Sequence, residues 1–328
     1  MNRDGKCVKS LIAGLGLLVL IFDSKLATEG AVAGIELCIK TVIPSLFPFF
    51  VLSMLMTNSL EANNSRVLYC ISRHLKIPTL ASSVLIPAVL GGYPVGAKCV
   101  GDFYHRKLVS REEAERLLSF CNNAGPSFLF GMVSGFFPDR KMVWLLWLIH
   151  LFSAAMTAIA VPTENSVQSE KYSVSPKEKT EVILPAAKAM CMVCCWVVLF
   201  RILITFLKGW FLWSLPTWIQ VMLTGCLELT NGCCALMQIT DIRLRFVLCS
   251  CMLAFGGLCV LLQTASVTEG LSLRCYITGK ALQITFSLIL SCAVVRYRGI
   301  FFVGLLPVLV IISRKIQNRY RNPGTIPV

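Results

Sequence analysis

Long apolar runs separated by short charged segments dominate the pattern of this chain. Several of the runs are long enough to cross the roughly 30 Å of hydrocarbon in a bilayer. The apolar runs cover residues 8–22, 31–57, 142–161, 182–207, 209–236, 246–268, 276–295 and 300–312. This pattern predicts an all-α, polytopic membrane protein with about eight spanning helices and two re-entrant hairpins.

The apolar runs contain helix breakers at a few defined places. Residues 79–103 hold Gly91, Gly92, Pro94 and Gly96 around Tyr93, which favours a hairpin that enters and leaves by one face. Residues 31–57 carry two prolines, residues 223–232 interrupt a later run, and residues 120–127 read FCNNAGPS. Irregular backbone at membrane depth must be buried in protein or line a wet cavity.

Composition and charge narrow the class of protein. Hydrophobic residues make up 56% of the 328 residues and charged residues only 15%, whereas soluble domains carry about 25% charged residues. An ordinary cytosolic enzyme is therefore excluded. The net charge of +14 indicates cytoplasmic loops facing an anionic leaflet, so we expect the lipid bilayer and no nucleic acid as its partner.

The polar segment near the middle of the chain divides it into two halves. We predict an N-terminal membrane helix at 1–30, a first half at 31–162, a linker at 163–182, a second half at 183–313 and a basic tail at 314–328. The first helix has the charged start of a signal peptide but no clear cleavage site, so we interpret it as retained.

The two halves show weak sequence similarity to each other. Residues 42–59 align with 214–232, and VLGGYPVGAK at 89–98 aligns with AFGGLCVLLQ at 254–263, which includes Gly256 and Gly257. Two similar segments in the same order in both halves indicate an internal duplication. Paired interrupted segments in corresponding halves are typical of the central binding site of secondary transporters. Our count of crossings makes the halves parallel, whereas such folds are commonly inverted, and the sequence leaves both arrangements open.

Candidate site residues are the polar side chains at these interruptions. Glu228 lies within a broken helix, where an ionisable group is costly unless a partner or a cavity relieves it, and we expect it to couple H+ or Na+ or to contact the substrate. Lys98 either neutralises a substrate carboxylate or reaches the interface with its tip, while Lys188 and Arg201 are expected near interfaces. The remaining amides and hydroxyls either contact substrate or cap helices; they are Asn58, Asn122, Asn123, Asn231, Gln263 and Thr264.

Four motifs carry a resemblance to a known family. IPSLFPFFVLS, GGYPVGAK, FCNNAGPSFLFG and CLELTNG resemble the sporulation integral membrane protein YlbJ family, which is related to the nucleoside-recognition gate domains of concentrative nucleoside transporters. The resemblance implies a multi-pass protein of a bacterial cell membrane, the outer forespore membrane, that moves dipicolinic acid toward the forespore. The second hairpin lacks the Tyr-Pro of the first, which leaves another substrate open.

The functional prediction is a transporter of a small anionic heteroaromatic solute. A membrane enzyme is disfavoured because no HExxH, GxSxG or Walker pattern is present, and we expect neither a metal nor a cofactor. The alternatives are a non-transporting sporulation scaffold or checkpoint protein and a nucleoside-type transporter. A homo-oligomer is a further expectation.

Overall fold

The computed structural model describes residues 14–60, 75, 77, 80–161 and 182–297. This part of the chain is helical and has no β-strand. Five helical segments are long and apolar enough to cross a membrane: Ser24–Leu52, Arg140–Ala160, Ile183–Trp210, Ile242–Val267 and Arg274–Arg296. The predicted all-α class is therefore confirmed, while the number of eight crossings and the two re-entrant hairpins stay predictions.

The described residues of the first half form six α-helices with short 3₁₀ and π segments between them. In chain order the helices are α1 (Ser24–Leu37), α2 (Ile43–Leu60), α3 (Leu85–Leu90), α4 (Val95–His105), α5 (Arg111–Cys121) and α6 (Arg140–Ala160). A π segment, Cys38–Val42, joins α1 to α2, and another, Ser127–Met132, follows α5. Residues 14–22 are also helical, and the predicted boundary at residue 30 lies inside α1.

Residues 183–297, the described part of the second half, also form six α-helices. They are α7 (Ile183–Trp210), α8 (Thr217–Leu227), α9 (Leu229–Ala235), α10 (Ile242–Phe255), α11 (Gly257–Val267) and α12 (Arg274–Tyr297). Of the predicted segments between and beyond the halves, most of the linker and all of the basic tail lie outside the described residues.

The order of elements is the same in the two halves. Each begins with a long helix, continues with two short consecutive helices and an interrupted helix, and ends with a long helix. In this order the GGYP break corresponds to the break at Glu228, and the break at Asn122 corresponds to the one at Gly256. The alignment of the two sequences pairs these segments differently, because it aligns the GGYP break with the break at Gly256.

Local sequence explains where several of these elements begin and end. Ser110 accepts a hydrogen bond from the Glu113 backbone N–H at 3.1 Å, and the Glu113 carboxylate accepts one from the Ser110 N–H at 2.9 Å, so the predicted capping box starts α5. Gly256 separates α10 from α11 with φ of 80°, a left-handed conformation that favours glycine.

Two glycines one helical turn apart bring α1 and α7 together. A Cβ atom at Gly30 would lie 2.8 Å from the Ile202 Cα, and one at Gly34 would lie 2.9 Å from the Val198 Cα. These distances leave no room for side chains, so the backbones themselves are in contact. Small residues spaced four apart allow such an approach between helices in a membrane.

The closing helix of each half packs against the other half. α12 contacts α5, α6 and α10. Between α6 and α12 the packed side chains are partly polar, since the buried Ser287 Oγ donates to the Ser153 Oγ at 3.0 Å. Outward-facing side chains of the long helices, among them Leu199 and Ile289, are exposed and apolar, as expected of a surface that faces lipid.

Candidate functional site

The four breaks in the helices converge at one place. They are Gly91–Pro94 between α3 and α4, Asn122–Pro126 after α5, Glu228 between α8 and α9, and Gly256 between α10 and α11.

Close backbone contacts join the breaks in pairs. A Cβ at Gly92, whose φ is 73°, would lie 3.1 Å from the Gly125 N, and one at Gly257 would lie 3.2 Å from the Leu227 carbonyl oxygen. Tyr93 extends from the first half to the second, where its hydroxyl donates to the Leu253 carbonyl at 3.1 Å. The breaks therefore form one continuous centre that both halves share.

A cavity of 40 Å³ lies at this centre. A water molecule needs about 10–15 Å³ of such space, so the cavity accommodates a few waters. Its walls come from both halves and consist of Val42, Leu46, Gly92, Tyr93, Ala124, Gly125, Phe128, Val193, Val197, Glu228, Leu229, Thr230, Val260 and Gln263. The lining is mostly apolar with a few polar groups, which is the usual composition of a small-molecule site.

Glu228 is the carboxylate of the cavity wall, and it also caps α9. Its Oε1 accepts from the Thr230 N–H at 2.9 Å. Its Oε2 accepts from the Asn231 backbone N–H and from the Asn231 side-chain amide, both at 2.7 Å. Three donors thus stabilise a side chain that is only 2% exposed. The negative charge also lies at a helix N-terminus, where the helix dipole favours it.

Arg201 connects to this carboxylate through one residue. Its Nη1 donates to the Asn231 Oδ1 at 2.7 Å, while the Asn231 amide donates to Glu228. From the sequence, Arg201 is expected only near an interface, whereas the structure places it in contact with Asn231 at the Glu228 break. Arg201 and Glu228 share Asn231 without pairing directly, since no ion pair joins them among the described residues.

A buried lysine marks the opposite side of the centre. Lys280 in α12 is 3% exposed, and its Nζ donates to the Tyr93 hydroxyl at 2.9 Å, the Asn122 carbonyl at 2.6 Å and the Gln283 Oε1 at 2.9 Å. The Nζ also lies 4.9 Å from the centre of the Tyr93 ring, a cation–π distance. Lys280 therefore bridges the GGYP break, the Asn122 break and its own helix.

The two asparagines of the FCNNAGPS break are buried in hydrogen bonds. The Asn122 amide donates to the Thr264 Oγ1 at 2.8 Å, and the Asn123 Oδ1 accepts from the Gln283 amide at 2.9 Å. Asn123 also donates to the Phe120 carbonyl at 2.6 Å. Neither lines the cavity. In this conformation these side chains hold the break in place, and Ala124 and Gly125 of the same break line the cavity instead.

The structure thus brings most of the predicted residues to one centre. Gly92, Tyr93, Glu228 and Gln263 line the cavity, and a second layer contains Asn122, Asn123, Asn231, Thr264, Gly256 and Gly257. The other hairpin positions shape the break: a Cβ at Gly91 would meet the Pro87 carbonyl, one at Gly96 would overlap the Cys121 carbonyl, and Pro94 follows a cis peptide bond.

Two predicted residues stand apart from this centre. Lys98 is half-buried in α4 and does not line the cavity. Asn58 belongs to α2, and its side chain lies outside the described part of the chain.

Sequence reasoning missed Lys280 and Gln283 and gave His150 no role. The imidazole of His150 is buried in α6 and its Nε2 accepts from the Ala124 N–H at 3.0 Å, beside the same break. A usable signal was present, because Lys280 and Gln283 are polar residues one turn apart inside an apolar run. Their position in an uninterrupted helix hid their relation to the breaks.

Comparison with known proteins identifies a relative. The chain is similar to the sporulation integral membrane protein YlbJ of Bacillus subtilis (strain 168), with 26% identity over an alignment of 292 residues that covers 75% of this chain and 71% of the relative. No family model matches the chain, and no solved structure matches it significantly. Together with the long apolar helices, this similarity to a sporulation integral membrane protein supports a multi-pass membrane protein.

Proposed function

We propose that this protein is a transporter that moves a small anionic heteroaromatic solute, dipicolinic acid, across the membrane. The observation that carries the proposal is the cavity at the meeting point of four broken helices, lined by Glu228 and Gln263. Broken helices around a central site supply backbone amides and carbonyls to a solute at membrane depth. A scaffold protein has little use for such a cavity.

Charge at the centre supports an anionic solute. Lys280 and Arg201 are two cations, and Glu228 is one carboxylate; neither cation has a carboxylate within 4.0 Å among the described residues. A buried charge without a counter-ion is unfavourable. An anion that enters between the breaks relieves this imbalance, whereas a neutral nucleoside does not.

The size of the cavity implies movement during transport. A space of 40 Å³ is too small for an aromatic dicarboxylate, so we interpret the structure as a closed conformation. Tyr93 connects the GGYP break to Leu253 of the second half and to Lys280. Displacement of the helices that flank this break, α3 and α4, opens the site, and their return closes it around the solute.

The identity of the solute and the location of the protein rest on the family. The relative is named as a sporulation protein, and the motifs resemble a family associated with dipicolinate. We therefore place the protein in the outer forespore membrane of a spore-forming bacterium, where it moves dipicolinic acid toward the forespore.

Uptake of radiolabelled dipicolinate into proteoliposomes that contain the purified protein tests this proposal. We expect saturable uptake that unlabelled dipicolinate suppresses and nucleosides do not. Suppression by nucleosides instead identifies a nucleoside-type transporter. Absence of uptake and of binding for both compound classes refutes transport and favours the scaffold alternative.

Gln263 offers a variant that separates solute contact from folding. Its side chain lines the cavity, and its amide donates a weak hydrogen bond to the Cys259 Sγ at 3.3 Å. Gln263→Leu should leave folding intact and raise the KM for dipicolinate about tenfold, the effect of losing one good hydrogen bond. Gln220→Leu is the matched control, because the Gln220 amide donates to the Leu215 carbonyl away from the cavity. An unchanged KM in Gln263→Leu removes this residue from solute binding.

A further inference from the structure

The hydrogen-bond partners of Lys280 indicate its protonation state in this conformation. All three are acceptors toward Nζ: the Asn122 carbonyl, the Gln283 Oε1 and the hydroxyl oxygen of Tyr93, whose own proton is directed to the Leu253 carbonyl. A protonated lysine has three N–H donors and no acceptor, so these three contacts match the ammonium form when the Tyr93 hydroxyl donates to Leu253.

The surroundings of Lys280 contain no negative charge to hold that proton. The titratable groups that face it are Tyr93 from the GGYP break, Cys121 from α5, His150 from α6 and Tyr276 from α12. All four are neutral or cationic in their ordinary forms at neutral pH. No carboxylate lies within 4.0 Å of Nζ in the part of the chain that the structure describes.

Loss of the proton has a structural consequence. A neutral amine keeps two N–H donors and gains a lone pair, so either one of the three acceptors loses its bond or the Tyr93 hydroxyl turns its proton from the Leu253 carbonyl to Nζ. Gln283 belongs to the same helix as Lys280, whereas Tyr93 and Asn122 belong to two separate breaks. The bond that yields most easily is therefore one between α12 and a break, or the one from Tyr93 to Leu253, and deprotonation loosens the closed centre.

Because the ammonium attracts an anion and the neutral amine does not, proton and solute bind to the same state of the protein. We propose that Lys280 is the proton-carrying residue of this protein and couples movement of the anionic solute to movement of a proton in the same direction. When the solute leaves, the Tyr93 hydroxyl turns from the Leu253 carbonyl toward a water molecule of the adjoining cavity. An Nζ–H bond breaks, the Tyr93 oxygen receives that proton, and the original hydroxyl proton passes to the water. The amine then takes a proton from the opposite side before the next solute binds.

This inference rests on the proposed transport function, and the two are tested separately in proteoliposomes. Counterflow, the exchange of labelled for unlabelled dipicolinate at equal pH, requires solute binding and opening but no net proton movement. Uptake driven by an acidic exterior requires coupling. A pH-sensitive dye in the lumen reports proton entry directly.

Lys280→Gln and Lys280→Arg are the informative variants. Glutamine retains two donors without a titrating group, and arginine retains the charge but does not release its proton. In both we expect gradient-driven uptake to fall at least about tenfold more than counterflow, and luminal acidification to disappear. Counterflow itself should fall less in Lys280→Arg, which keeps the charge that attracts the anion, than in Lys280→Gln. Lys188→Gln is the matched control, since Lys188 is exposed in α7, and it should behave as wild type.

Three outcomes overturn the inference. Equal loss of counterflow and driven uptake in well-folded Lys280 variants assigns the residue a structural role only. Luminal acidification that persists in Lys280→Gln places the coupling proton elsewhere, and Glu228 then becomes the candidate. If neither variant folds, the luminal pH during uptake by the wild type decides, because dipicolinate entry without luminal acidification excludes coupling. Absence of counterflow in the wild type refutes the transport function itself.

Discussion

Replacement of Glu228 by glutamine tests whether its carboxylate is a structural cap as well as a wall of the cavity. From the sequence alone, Glu228→Gln is expected to reduce transport while leaving the amount of protein in the membrane intact. The structure alters that expectation, because the carboxylate accepts three hydrogen bonds at the start of α9.

The magnitude follows from counting these bonds. A glutamine oxygen in the place of Oε2 keeps the two donors of Asn231, but its NH2 group then faces the Thr230 N–H. An unsatisfied buried donor costs about 1–3 kcal/mol, and the two remaining bonds lose their charge-assisted part, about 1 kcal/mol each. Relief from burying a charge offsets a share of this loss. We expect a net destabilisation of about 2 kcal/mol.

Thermal unfolding of the purified protein in detergent measures this effect. For the 328 residues of this chain, about 2 kcal/mol corresponds to a decrease in Tm of about 3 °C. Asp241→Asn is the control, because Asp241 caps α10 through one bond to the Arg243 N–H at 2.8 Å while exposed to solvent. Asparagine caps equally well, so this variant should keep its Tm. A Tm in Glu228→Gln that matches wild type refutes the charged cap.

Three further substitutions test the packing of the fold, each by thermal unfolding in detergent. Gly34→Leu should destabilise the protein by about 1–3 kcal/mol because α1 and α7 are in backbone contact there, whereas Gly135→Ala, which points into open space, should have no effect; equal stability of both contradicts the close packing. Gly92→Ala should lower stability by about 1–2 kcal/mol because φ is 73° and Gly125 lies close, and an unchanged Tm argues against this backbone. Ser110→Ala removes the cap of α5 and should lower the free energy of unfolding by about 1 kcal/mol; an effect near zero means that water replaces the hydroxyl.

Several features of the fold follow from sequence because they depend on neighbours along the chain. The apolar runs predict helices near 142–161 and 276–295, and the structure has them at Arg140–Ala160 and Arg274–Tyr297. Ser110 and Glu113 form the predicted capping box. The interruptions at Gly91–Pro94, Asn122–Pro126 and Glu228 also lie where the breakers predict them, since glycine and proline act on the backbone locally.

The partners of the site residues depend on contacts between distant segments, and tertiary structure alone decided these. Lys280 meets the Asn122 carbonyl across 158 residues and the Tyr93 hydroxyl across 187 residues. No periodicity encodes such a contact, because a hydrophobic pattern states which face is buried but not against what.

The sequence by itself determined that the chain forms apolar helices with a few polar breaks, because hydrophobicity and backbone preference are properties of short segments. Only the tertiary structure decided that four breaks meet around one cavity, that Glu228 caps a helix there, and that a lysine from an unbroken helix completes the centre. The physical reason is that burial of a charge is tolerated only where several segments together supply its hydrogen bonds.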